Sequence, residues 1–292
     1  MHFSIPTPKE FDFDLCLSFL KRSPHEILHR VDEASVSKAL MLGGKAIIFR
    51  IKEQKDGLRV EILSGELSAS VKEQVIEYIT EWFDLATDLK PFYQMARKDE
   101  LLKDLVKKFH GYRIVGQPDL FESLVWAVLG QQINLGFAYT LKSRFVSEFG
   151  ERVELGETTY HLFPEPAVVS EIKPEELLKL QFSRQKAAYT IGIAKAFLNG
   201  EVSKKGLTGM PLNEAKEALI KIHGVGNWTA NYALMKTFRH PDAFPLEDAG
   251  LHNAIRNLMN LKSKPDLKKV KRIFKKYKGW EAYAVLYLWK SL

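Results

Sequence analysis

The chain is expected to be an α+β protein, with an antiparallel sheet unit over residues 1–90 and an all-α region over residues 91–292. Three observations lead there. Alternation with period two is confined to residues 37–63, helical periodicity runs from about residue 90 to the end, and 292 residues with 46% hydrophobic content suffice for more than one core.

In chain order, the apolar run Ala46-Ile47-Ile48-Phe49-Arg50-Ile51 and the alternation of Leu58, Val60 and Ile62 against Arg59 and Glu61 describe strands. Gly43-Gly44 and Asp56-Gly57 supply the turns between them. Val71, Val75, Ile76, Ile79, Trp82 and Phe83 recur at helical spacing, so a helix over about 71–85 covers one face of the sheet. Beyond Asp88-Leu89-Lys90-Pro91 the strand pattern stops. A helix opens at Pro118-Asp119-Leu120-Phe121-Glu122, where Asp119 caps and Glu122 completes a capping box, and it ends near Gly130-Gln131-Gln132.

Composition narrows the classes. A single cysteine, Cys16, excludes an intramolecular disulfide framework, a multi-cysteine zinc site and a cysteine-held iron–sulfur cluster. No apolar run is long enough to span a membrane and the N-terminus lacks the order of a secretory signal, so a cytoplasmic protein with no membrane partner is expected. The net charge of +7 suits a phosphate-bearing partner. Lysines 268, 269, 271, 275 and 276 with Arg272 read as a solvated helix face whose charge would add nonspecific attraction to a polyanion.

Residues 212–238 are the most informative segment. Leu212, Ala215, Leu219 and Ile222 stripe a first helix, His223-Gly224-Val225-Gly226 must turn sharply, and Asn227-Trp228-Thr229-Ala230-Asn231-Tyr232 begins a second. Paired glycines let the backbone approach a surface, and the second helix offers unpaired N–H groups and the positive end of its dipole, which a DNA phosphate fits. A tight helical hairpin inside a bundle would carry the same pattern. Further on, Pro245 stops the second helix, and Asp248 stands where another, roughly 252–259, would start. Asp248 is then an N-cap, a catalytic carboxylate, or both.

The run Ile222-His223-Gly224-Val225-Gly226-Asn227-Trp228-Thr229-Ala230, followed by Phe244-Pro245-Leu246-Glu247-Asp248, resembles the helix-hairpin-helix, Gly/Pro-rich, Asp motif of the HhH-GPD DNA glycosylase superfamily. Its 3-methyladenine DNA glycosylase II (AlkA) type is the nearest in pattern. Residues 11–20 resemble that type's N-terminal segment, 129–132 its DNA-probing loop and 280–289 its last helix. The fold so implied is α+β: an N-terminal TATA-binding-protein-like antiparallel α/β domain, then all-α HhH-GPD glycosylase domains in two helical subdomains.

The resemblance implies a monofunctional base excision repair enzyme that flips an alkylated purine from damaged double-stranded DNA. It would hydrolyse the N-glycosidic bond, with Asp248 stabilising the oxocarbenium-like sugar. Phe19, Trp228, Tyr232 and Trp280 match base-pocket aromatics, and Gln131, Gln132, Gly224, Val225, Gly226, Asn227 and Thr229 match DNA-binding positions. Gln132 stands where the type often carries an apolar wedge, and Glu281 where it often has arginine. Bifunctional relatives form a Schiff base through a lysine at the place Trp228 occupies, so no lyase step is expected. No cofactor is required; the family pattern adds a structural Na+ or K+ on the carbonyls of Ile220, Ile222 and Val225. A monomer suffices. The other readings are a glycosylase for deaminated, etheno or mismatched bases, and a non-catalytic hairpin protein that only clamps DNA.

Overall fold

The computed structural model describes residues 1–292. The N-terminal unit comprises β1 (His2–Ile5), α1 (Phe13–Leu20), β2 (Arg30–Val31), β3 (Ser35–Leu42), β4 (Lys45–Gln54), β5 (Gly57–Ser64) and α2 (Ala69–Trp82). The strands form one antiparallel sheet in the order β1-β5-β4-β3-β2. Gly43 and Gly44 turn β3 into β4 with φ of +57° and +75°, the left-handed pair that a two-residue hairpin demands.

The period-two pattern sorts each strand's side chains. Val36, Ile47, Phe49, Ile51, Leu58 and Val60 face α1 and α2, where Phe13, Leu17, Val75, Ile79 and Phe83 bury them. Both helices start on side-chain caps, Asp12 accepting from Leu15 N at 2.8 Å and Ser68 from Val71 N at 3.2 Å.

The helical part runs through α3 (Lys90–Ala96), α4 (Lys103–Lys108), α5 (Leu120–Gly130), α6 (Leu135–Phe149), β6 (Arg152–Leu155), β7 (Thr158–His161), α7 (Pro166–Ser170), α8 (Pro174–Lys179), α9 (Arg184–Leu198), α10 (Lys204–Leu207), α11 (Leu212–Ile220), α12 (Asn227–Phe238), α13 (Ala249–Leu258), α14 (Leu267–Phe274) and α15 (Glu281–Trp289). The α+β class stands as expected. One feature of this region departs from the expectation of helices alone: β6 and β7 pair as an antiparallel hairpin. Its Tyr160, with Leu162 just beyond, covers the second face of the sheet at Ala39 and Ile48, and Tyr160 Oη donates to Ser37 Oγ at 3.1 Å. So short a hairpin is stable because it lies on a larger sheet.

Helix α5 is the hub. Beyond Glu122 and Ser123 in its first turn it is apolar on every side, as an interior helix is, and it packs against α12, α9 and α6. Its carbonyl end is closed by Lys186 of α9, whose Nζ donates to Val128 O at 2.9 Å and Gln131 O at 2.7 Å. Burial pushes that amine down to about 8. Helix α14 turns Val270 and Phe274 inward and leaves most of its lysines and Arg272 in solvent, as its sequence pattern implies.

Candidate active site at the end of the hairpin

Helices α11 and α12 are joined by the turn through Gly224 and Gly226. Gly224 has a φ of +94°, and a Cβ there would lie 2.2 Å from the Tyr189 ring, so only glycine fits. Gly226 differs. Its φ is −90°, and a Cβ would meet nothing of this chain. The space above Gly226 is open, and the N–H groups of Gly226, Asn227, Trp228 and Thr229 make no internal hydrogen bond. An exposed helix N-terminus without a side-chain cap results.

Of the expected DNA-contacting residues, Gln132, Gly226 and Asn227 are exposed and Gly224 half-exposed, whereas the Val225 and Thr229 side chains are buried. The Thr229 side chain therefore faces the interior, and only its backbone N–H is left without an internal partner. Its Oγ1 accepts from Gln131 Nε2 at 3.0 Å, and the same amide donates to Gly224 O at 3.2 Å. Gln131 thus ties the loop after α5 to the hairpin. Gln132, next to it, projects outward from a left-handed backbone with φ +56°.

Trp228 lies on the first turn of α12, and its ring stacks on Tyr232 with centroids 5.3 Å apart at 17°. Helix α12 ends at Phe238 on a left-handed Arg239, so it stops before the buried Pro245 and not because of it, and Asp248 caps α13 by accepting from Leu251 N at 2.7 Å. The cap and the cleft carboxylate are one residue. Asp248 Oδ1 also accepts from Trp289 Nε1 at 2.8 Å, and Oδ2 accepts from Trp228 Nε1 at 3.2 Å. All three donors are neutral N–H groups, and Asp248 makes no ion pair, so its charge is oriented without being cancelled.

The carboxylate faces a cleft of about 610 Å³ walled by Phe19, Trp126, Trp228, Tyr232 and Trp289. That is the size of a small-ligand site. Three of the four expected pocket aromatics, Phe19, Trp228 and Tyr232, come together here. Trp280 does not: it precedes α15 and packs on Phe92 and Tyr283, with ring centroids 5.8 and 6.2 Å away. Trp289, about two and a half helical turns further on, reaches the cleft instead. Periodicity hid it, since α15 is apolar on almost every side and no one face stands out. Trp126 was missed for the same reason; its Nε1 donates to Tyr232 Oη at 3.0 Å from the interior helix α5.

The carbonyls of Ile220 and Val225 accept no hydrogen bond, and that of Ile222 accepts only Val225 N–H at 3.0 Å. Three carbonyls with spare lone pairs in one turn fit a monovalent cation, a hard ion that takes oxygen ligands.

A sequence profile described as the HhH-GPD superfamily base excision DNA repair protein matches residues 125–279, and one described as the 8-oxoguanine DNA glycosylase N-terminal domain matches residues 8–124. A Bacillus subtilis protein named DNA-3-methyladenine glycosylase is 39% identical over 99% of this chain and 96% of its own length. The solved 3-methyladenine DNA glycosylase of Archaeoglobus fulgidus superposes with a TM-score of 0.83 at 23% identity, over 99% of this chain and 97% of that one. The apo 8-oxoguanine glycosylase/lyase of Clostridium acetobutylicum gives 0.76 at 18% identity, over 100% and 99%, so the fold is common to enzymes of different names. With its hairpin, its capping aspartate and both profiles in register, the chain belongs to the HhH-GPD superfamily of base excision DNA repair proteins.

Proposed function

We propose that this DNA glycosylase is monofunctional and hydrolyses the N-glycosidic bond of alkylated purines, 3-methyladenine and 7-methylguanine among them, in damaged duplex DNA. The observation that carries the reading is Asp248, a carboxylate held by two indole N–H groups at the wall of an aromatic cleft. As the base departs, the sugar gains oxocarbenium character, and an oriented, uncompensated negative charge beside it lowers the barrier. A base alkylated at N3 or N7 is already cationic, so it leaves without a second acid and is attracted by stacked aromatic faces. The open N–H groups at Gly226 and Asn227 anchor a phosphate without reading sequence. The carbonyls of Ile220, Ile222 and Val225 would hold Na+ or K+ and add positive potential at that phosphate.

Trp228 supplies an indole where a Schiff-base mechanism needs an amine at that place, so the product is an abasic site and borohydride should trap no protein–DNA adduct. The enzyme acts as a monomer, since one hairpin and one cleft serve one lesion. The deciding experiment is Asp248→Asn. Asparagine caps a helix as well as aspartate does, so folding and duplex affinity should persist while methylpurine release falls by at least about a hundredfold. Undiminished release by the variant would remove the proposed mechanism.

A further inference from the structure

The turn that follows α5 has two accessible forms, and a buried lysine holds it in the strained one. Gln131 has φ −60° and ψ 128°, and Gln132 follows with φ +56°. These angles match the central pair of a type II turn, whose second position favours glycine or asparagine because its backbone is left-handed. A glutamine there carries strain. Rotating the one peptide group between Gln131 and Gln132 would give the commoner type I turn, relieve that strain and swing the Gln132 side chain to another direction.

Lys186 opposes that rotation. Its Nζ donates at 2.7 Å to Gln131 O, the carbonyl of that same peptide group, as well as to Val128 O at 2.9 Å. Capping of α5 accounts for Val128, which lies in the last helical turn, but Gln131 stands beyond Gly130, the last residue of the helix. Lys186 reaches both carbonyls from α9 with only 8% of its surface exposed and with no carboxylate partner. Burying an unpaired amine is costly, and here two carbonyls of one loop are all that offsets it. From the other side the Gln131 amide donates to Gly224 O and Thr229 Oγ1 of the hairpin, so Gln131 is fixed at both ends. Gln132 alone is left exposed, at the lip of the cleft that Gly130 and Ile133 line.

Resting on the reading above that a base is flipped out of a duplex, we infer that Lys186 is a positioning residue: through the Gln131 carbonyl it locks the turn so that Gln132 enters the space the base vacates. Flipping costs unstacking and unpairing. A side chain that fills the gap offsets part of that cost, and the glutamine amide offers the orphaned partner base both a donor and an acceptor. An unlocked turn divides its population between the two forms, only one of which presents Gln132 to the gap, and apparent affinity falls with the fraction that is competent.

The test measures binding, with no bond broken, so it stands apart from hydrolysis. Affinity for a duplex with one tetrahydrofuran abasic analogue is compared with that for the same duplex undamaged. The proteins are wild type, Lys186→Met, Gln132→Ala, the double variant and Lys186→Arg, at a temperature where melting curves show all five folded. Wild type should prefer the abasic duplex. Lys186→Met and Gln132→Ala should each lose about tenfold of that preference, the effect of one hydrogen bond from a charged donor, with affinity for undamaged duplex within about twofold. Since both changes remove the same contact, the double variant should lose no more than either alone. Lys186→Arg keeps charged N–H donors beside the carbonyls and should restore most of the preference. A preference absent from wild type or unchanged in Lys186→Met overturns the inference, as do losses that multiply to about a hundredfold in the double variant, which would mean that Lys186 acts on something other than Gln132. A Lys186→Arg protein that behaves like Lys186→Met assigns the loss to packing and overturns it too. If the expected pattern holds while no methylpurine is released, only the hydrolase reading falls.

Discussion

At the scale of single residues, Asp248 shows how one side chain serves local structure and chemistry together. Its Oδ1 caps α13 through Leu251 N while the indoles of Trp289 and Trp228 fix the direction of the carboxylate. Trp289→Phe keeps the aromatic wall and deletes one donor, so release should fall about tenfold with little change in duplex affinity, the effect of one hydrogen bond of about 1–1.5 kcal/mol. An unchanged rate would show that Trp289 only fills space. The capping role was legible from an Asp placed just before an apolar helical pattern. The indole partners were not, because they lie 20 and 41 residues away and meet only in the folded chain.

Among the elements, the hairpin makes two glycines separable. Gly224→Ala forces a side chain into the left-handed region and into Tyr189, so it should destabilise the fold by more than about 2 kcal/mol. Gly226→Ala meets open space and should leave stability within about 0.5 kcal/mol while weakening duplex binding, because the new methyl group stands where a phosphate would approach. Denaturant melts and salt-matched affinities distinguish the pair; equal loss of stability in both would refute the separation. The Gly-x-Gly spacing marked the turn, but the two roles depend on what lies opposite each Cα. The second hairpin, β6–β7, escaped notice since its four-residue strands gain their burial from the sheet they cover.

Across the whole molecule, the sheet unit and the helical region are joined by buried charge. Lys142 of α6 pairs with Glu26 at 2.5 Å, with both side chains at most 7% exposed. Burial opposes ionisation of Glu26, yet the Lys142 ammonium, with His29 and the Leu28 N–H, together outweigh it and bring the carboxyl down to about 2. Nearby, burial brings His29 down to about 4. For both groups the folded value lies below the unfolded one, so the unfolded chain binds more protons and stability is lost as pH falls. The loss should begin near pH 6.5 and continue to about 4 through His29, and extend from about 4.5 toward 2 through Glu26. Thermal melts across this range check it, and His29→Gln should flatten the upper part. Glu26→Gln strands the Lys142 charge and should cost about 3–5 kcal/mol at neutral pH. A flat stability profile between pH 7 and 4 would refute this account of the seam.

Sequence by itself determined the α+β class, the central strands and the helix over them, the glycine turn and the capping aspartate, because each depends on near neighbours and on periodicities of two or 3.6 residues. The tertiary structure alone decided that Trp289 and Trp126, not Trp280, wall the cleft, and that the Thr229 side chain turns inward. Those facts depend on how distant helices pack, and an interior helix that is apolar all round carries no periodic mark to say which of its faces meets the site.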